Sequence, residues 1–199
     1  MANKSKPQRR ARKVQSDLRR QQLLEIAIDL TAQKGLGRVN HTSVAKAAGV
    51  AGPTIFSYFA NREELDREIR DEVGRFIVGF LTLDGIEELP FKERLVALGV
   101  NSMELMDTHL SYCQVWAMWG AHFGADERIH YKKYEDSFTA TLSTMLLAEA
   151  GEGLTEQAAI DRSRVMLSAS VYLVRMEMDG VSRKRQIEFF QHMIDFAVR

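Results

Sequence analysis

This 199-residue chain is short of cysteine, proline and any long apolar run, and each shortage narrows what it can be. Cys113 is its one cysteine, so no intramolecular disulfide can form and a reducing compartment fits. With three prolines, helices can run long. No stretch of about 18 apolar residues is present to span a bilayer, and the first residues lack the apolar segment of a secretory signal. The expectation is a cytoplasmic chain with no membrane partner. The histidines are His41, His109, His122, His130 and His192, and no pair has the spacing of a helical metal motif. His109 and Cys113 stand four apart, but two ligands do not make a structural zinc site. A Gly-rich phosphate loop, a nucleophile elbow and a triad order are all missing. Glu63, Glu64, Asp66 and Glu68 read as a solvated helix face. No catalytic residue, metal site or cofactor is therefore expected.

What is present is helix pattern throughout, and one stretch of it is unusual. From His41 to Phe59 the chain reads HTSVAKAAGVAGPTIFSYF. Thr42 or Ser43 can cap a short helix over Val44 to Ala48, and Gly49 ends it because a residue without Cβ turns there at little cost. A second short helix starts near Pro53, whose fixed φ suits a first helical position, and runs to Phe59. Ile55 and Phe59, four apart, can face a core, while Thr54, Ser57 and Tyr58 point elsewhere. A helix this short with outward hydroxyls suits a DNA groove, although the same pattern would also serve an ordinary helical corner.

The residues AKAAGVAGPTIFSYFANREEL resemble the helix-turn-helix core of the TetR family of bacterial transcription regulators. The match is carried by Val44, Ala45, Ala48, Gly49, Val50, Thr54, Ile55, Tyr58, Phe59, an acidic residue at Glu63 or Glu64, and Leu65. It departs where Pro53 replaces the commoner glycine, Phe56 replaces a tyrosine, and Arg62 replaces a lysine. Phe56 has no hydroxyl to offer a phosphate and reads as packing. Arg62 keeps the charge and adds a fork that grips phosphate. The resemblance covers roughly the first third of the chain, and its basic arm and early helices most resemble the Vibrio LuxR/HapR type of quorum-sensing master regulator. It implies double-stranded DNA as partner, a homodimer, and a C-terminal body in which a small apolar ligand biases DNA binding.

The formal net charge of zero conceals an asymmetry. Residues 1–70 carry 14 Lys or Arg against 7 Asp or Glu, so the remainder carries the opposite excess of seven. Much of the positive charge lies in KSKPQRRARK, before Asp17. Like charges repel there and little can be buried, so residues 1–16 are expected to form a flexible basic arm. Arg9, Arg10 and Arg12 would add sequence-tolerant affinity for phosphates or a minor groove. The other expected contacts are Thr42, Ser43 and Arg62 to phosphate, with Gly52, Thr54, Ser57 and Tyr58 as the reading surface. Gly52 and Pro53 would let the backbone approach base edges.

The first helix is expected over Asp17 to Lys34, with Leu23, Ile26, Ala27 and Leu30 as its buried stripe. Asn61 can cap a long fourth helix toward Leu83, which would join two domains and act as a lever between them. Beyond it the pattern stays helical: Pro90 to Asp107, His109 to Phe123, Asp126 to Ala150, Thr155 to Met178 and Ser182 to Val198. The expected fold is therefore all-α, with about nine helices. It comprises the arm (1–16), a helix-turn-helix domain (17–62) and a helical ligand-binding and dimerisation domain (63–199). Phe76, Phe80, Met103, Trp116 and Trp119 are the expected pocket lining, since aromatic and methionine walls adapt to apolar ligands. Leu167, Val171, Val174, Ile187, Phe190 and Ile194 form stripes that could make a four-helix dimer seam or could be core. With two reading heads about 34 Å apart, a near-palindromic operator would follow. An all-helical enzyme and a protein-binding adaptor are the competing readings.

Overall fold

A computed structural model describes residues 6–122, 124–150 and 153–198, with the side chains of all but 6–9 and 150. Among them there are nine α-helices and no strand. They are α1 (Lys6–Lys34), α2 (His41–Ala48), α3 (Gly52–Phe56), α4 (Arg62–Gly79), α5 (Phe91–Thr108), α6 (Leu110–Gly120), α7 (Ala125–Ala150), α8 (Glu156–Met178) and α9 (Arg183–Val198). No helix is long and apolar enough to cross a membrane. The chain divides into two compact units, Met1–Asp71 and Glu72–Arg199. The division falls inside α4, nine residues beyond the boundary expected at 62/63.

The first unit differs from the sequence expectation at its start. Helix α1 begins at Lys6, so residues 6–16, expected as a flexible arm, are helical. Proline is tolerated in a first turn, and Gln8 to Lys13 are Gln, Arg, Arg, Ala, Arg and Lys, all good helix formers. Extending a helix already nucleated over residues 17–34 spares them the cost of a new nucleus, which outweighs their mutual repulsion. The buried stripe of α1 is Leu23, Leu24, Ala27, Ile28 and Thr31, turned slightly from the one expected; Ile26 and Leu30 are half-buried. Val39, Val44, Ala45, Ile55, Phe59, Leu65 and Ile69 complete this core.

Helix α4 is capped as expected: Glu64 N–H donates to Asn61 Oδ1 at 2.8 Å, and Glu64 Oε2 accepts from Ala60 N–H at 2.7 Å. It stops at Gly79 rather than near Leu83, because the next residues bond three back, Phe80 N to Ile77 O and Leu81 N to Val78 O, which tightens the end. Thr155 caps α8 by accepting from Ala158 N–H at 3.2 Å. In the second unit, α7 packs on α8 and α9 packs on α5 and α8.

One close approach in this unit yields a stability prediction. A Cβ built on Gly74 of α4 would lie 2.3 Å from the ring of Tyr134, itself buried. Gly74→Ala gains about 1 kcal/mol of helix propensity but overpacks the contact at a cost of about 1–3 kcal/mol. The expected result is a net loss of up to about 2 kcal/mol, read as a lower thermal midpoint. A raised midpoint would mean that Tyr134 is not held against α4.

Candidate nucleic-acid interface and internal cavity

The outward surface of α2 and α3 is built by a chain of local devices. Asn40, extended at φ −144° and ψ 170°, caps α2: its Oδ1 accepts from Ser43 N–H at 2.9 Å. Ser43 Oγ donates to Asn40 O at 2.8 Å and accepts from Asn40 N–H at 3.1 Å. This reciprocal box starts the helix at His41, three residues earlier than expected, and it occupies the hydroxyl that the sequence reading gave to phosphate. Thr42 stands exposed in the first turn. Gly49 ends α2 in the left-handed region at φ 63°, as its position predicts.

Helix α3 starts at Gly52, with Pro53 second, and ends at Phe56 rather than at Phe59. Ser57 Oγ donates to Thr54 O at 2.7 Å, competing for the carbonyl that a fourth-neighbour bond would use. Ile55 and Phe59 are fully buried beneath the corner. The guanidinium of Arg20 sits 4.9 Å above the Phe59 ring, and Arg20 also pairs with Glu68 at 3.1 Å. Pro53 and Ser57 are exposed; Gly52, Thr54 and Tyr58 are half-buried. Tyr58 lines a shallow polar groove with Arg12, Ser16, Arg19 and Gln22. Arg10 lies beside a different strip of α1, with Ala11, Val14 and Leu18, and the side chain of Arg9 lies outside the described residues.

Two residues of this surface differ from expectation. Phe56, read as packing, is 54% exposed. Its ring stacks on His41 at 4.1 Å and 8°, and His41 Nε2–H donates to Phe59 O at 2.7 Å. A buried imidazole therefore fixes an apolar face that points outward. Arg62 is exposed and at the same time tied to the protein: it donates to Gly37 O and pairs with Asp66 at 3.7 Å. Burial raises the Asp66 carboxyl, with Arg62 and Arg70 opposing that shift. Lys46, on the exposed side of α2, is a cation the sequence reading passed over, though its place three residues before Gly49 could have suggested it.

The second unit holds a cavity of about 80 Å³. Its wall includes Phe80, Met103 and Trp116, three of the five expected lining residues. Phe76 and Trp119 are not in it. Phe76 packs instead on Phe80, His109 and Tyr112, with centroids 4.8–5.1 Å apart. Trp119 faces α7, where its indole N–H donates to Glu127 O at 3.1 Å and its ring meets Tyr131 edge-on. Cys113 lies in the wall with its thiol pushed up to about 12 by burial, which keeps it un-ionised. Among the described residues no three His, Cys, Asp or Glu could hold a metal ion.

The stripes expected at a dimer seam are inside the chain. Leu167, Val174 and Ile194 are buried; Val171, Val174 and Phe190 line the cavity; Ile187 packs on Met103, Leu173 and Met176. Of the two readings open to these stripes, seam or core, the burial favours core; each helix carries two apolar stripes, and periodicity alone does not say which is covered. The exposed apolar residues of these helices are Val165 (47%), Tyr172 (50%) and Met178 (62%) on α8 and Phe196 (72%) on α9; Phe189, tilted against Tyr172 at 5.4 Å, packs on the cluster of Met103, Leu173 and Met176.

Residues 23–69 match the family described as bacterial regulatory proteins, tetR family. The chain is 35% identical over 104 residues to the HTH-type transcriptional regulator LuxR of Vibrio harveyi, a match covering 52% of this chain and 50% of that protein. It thus spans about half the length of the curated relative it matches. Its fold resembles that of a TetR-family regulator from Rhodococcus sp., at a TM-score of 0.75 and 14% identity, covering 91% of this chain and 99% of the other. It likewise resembles FadR from Bacillus subtilis, solved in complex with stearoyl-CoA, at 0.71 and 18%, covering 89% and 97%.

Proposed function

We propose, from the premise that this chain belongs to the TetR family of bacterial regulatory proteins, that it binds duplex DNA as a homodimer and controls transcription from a near-palindromic operator. Membership makes it a transcriptional regulator rather than an enzyme. The observation that carries the reading is the capped corner of α2 and α3. Its inner face, Ile55 and Phe59, is fully buried, while Thr42, Lys46, Pro53, Phe56 and Ser57 are presented together outward. Thr54 and Tyr58 flank them. Ser57 and Phe56 are best placed to read bases, the latter offering an apolar face of the kind that meets thymine methyl groups. Thr42 and Lys46 serve phosphates, with Gly52 and Pro53 allowing close approach; Ser43 and Arg62 serve the corner's own stability. Selection of bound sequences from a random duplex pool tests this, with enrichment of a two-fold symmetric motif expected. No enrichment over the starting pool would end the proposal.

The basic first turns of α1 supply affinity that does not depend on sequence. Replacing Arg9, Arg10 and Arg12 by Ala should weaken binding to every duplex alike and flatten the dependence on salt by up to about three phosphate equivalents. Fluorescence anisotropy across a salt series measures this, and an unchanged slope would take these residues off the DNA.

Dimerisation is assigned to the outward residues of α8 and α9, Val165, Tyr172 and Phe196, since apolar faces on two neighbouring helices suit a two-fold four-helix seam. The cavity is proposed to hold a small apolar ligand that biases DNA binding, α4 being the one continuous helix shared by both units. Similarity to LuxR favours a quorum-sensing-type controller of many genes, and the cavity also suits a local repressor released by its ligand. Genome-wide mapping of bound sites separates them, as hundreds of sites mean the first and one or two the second.

A further inference from the structure

We propose that the cavity of the second unit selects an uncharged, mostly hydrocarbon molecule bearing one carbonyl-type oxygen, and that the indole N–H of Trp116 donates to that oxygen. This deepens, and rests on, the reading of the cavity as a ligand site. The twenty residues of the wall include no charged side chain. A carboxylate or phosphate inside it would be an unpaired buried charge, which costs far more than the apolar contacts return. Any charged part of a ligand must therefore stay outside. The wall hydroxyls are already committed as donors: Ser102 Oγ–H goes to Leu98 O at 2.7 Å and Ser170 Oγ–H to Leu167 O at 2.7 Å.

Trp116 is different. Its side chain is 2% exposed and its Nε1 is buried with no hydrogen-bond partner. Buried polar atoms without a partner also occur in Arg70, Arg94 and Thr139, but of these four residues Trp116 alone belongs to the cavity wall. Native proteins satisfy nearly all buried donors, so an unspent N–H on a residue of the cavity wall points to an acceptor supplied from outside the chain. The ring is also held in place. One face stacks on Tyr131 at 4.3 Å and 25°, and Trp119 closes edge-on at 5.7 Å. The donor is thus fixed before anything binds, which lowers the ordering cost of using it. Met103, Met106, Met166 and Met193 line the same space. Their flexible thioethers let a cavity of about 80 Å³ enlarge around a slender or flat molecule.

The test uses the full-length protein and three probes, acetophenone, ethylbenzene and benzoate, followed by titration in proton–nitrogen correlation spectra. The chain has two tryptophans, so two indole N–H signals are expected. Acetophenone should move the Trp116 signal downfield and leave the Trp119 signal, already bonded to Glu127 O, nearly still. Ethylbenzene should bind without that shift, and benzoate should not bind. In Trp116→Phe the preference for acetophenone over ethylbenzene should fall about fivefold, the usual worth of one neutral hydrogen bond. Where that variant fails to fold, the indole shift in the unaltered protein decides, with the signal assigned by Trp119→Phe. Binding of both neutral probes with no indole shift and no change in preference would overturn the Trp116 assignment while leaving the ligand site intact. Benzoate binding as tightly as acetophenone would overturn the neutral class. If neither neutral probe binds, the ligand-site reading falls, and this inference with it.

Discussion

Replacing Phe59 by alanine is expected to cost the first unit about 3–5 kcal/mol, the usual loss when a fully buried phenylalanine is emptied from a core. The ring lies under the corner of α2 and α3 with no exposed surface, and the Arg20 guanidinium covers it. Its backbone oxygen holds His41, and His41 in turn holds Phe56. Loss of the ring therefore loosens both sides of the reading surface. Whole domains are stable by only about 5–15 kcal/mol, so most of the margin of a 71-residue unit disappears. Apparent DNA affinity should fall with the fraction of molecules that keep the corner folded. Denaturant unfolding and duplex binding measure the two effects. Phe59→Leu, closer in volume, should cost under about 1.5 kcal/mol and retain binding. A Phe59→Ala protein with unaltered stability and affinity would show that the corner is not supported from beneath.

The second large effect concerns the proposed dimer. Tyr172→Glu combined with Phe196→Glu is expected to give a folded monomer, because both side chains are half or more exposed and their loss opens no core. In a two-fold seam each substitution appears twice, so four carboxylates would be forced together and desolvated. A monomer engages one half-site at a time and forfeits the gain from linked binding. Affinity for a symmetric operator should then drop by a factor on the order of 10²–10⁴, while affinity for a single half-site stays as it was. Sedimentation and anisotropy provide the readings. A double variant that still sediments as a dimer would move the seam elsewhere on the chain. Leu167→Glu would not serve, since Leu167 is buried and the charge would unfold the unit that carries it.

The two cases mark how far the amino-acid sequence reaches. Inside α2 and α3 it located the glycine turn and the buried pair, but not the helix ends or the outward Phe56. Gly49, Ile55 and Phe59 act as their spacing implies, because a glycine turn and a four-residue repeat are properties of a single short segment. The all-helical pattern and the caps at Asn61 and Thr155 were legible for the same reason. Asn40 was missed because Thr42 and Ser43 are also good caps, and only the completed box shows which residue stands first.

Determined by sequence alone were the helical elements, the glycine-hinged corner and the excess of positive charge in the first 70 residues. Tertiary structure decided which stripe of α8 and α9 is covered, that Trp116 belongs to the cavity wall while Trp119 does not, and that Phe56 looks outward from a buried histidine. The reason is geometric. Periodicity fixes the angles between side chains on one helix, but burial depends on which other helices arrive beside it, and those come from residues far away in the chain.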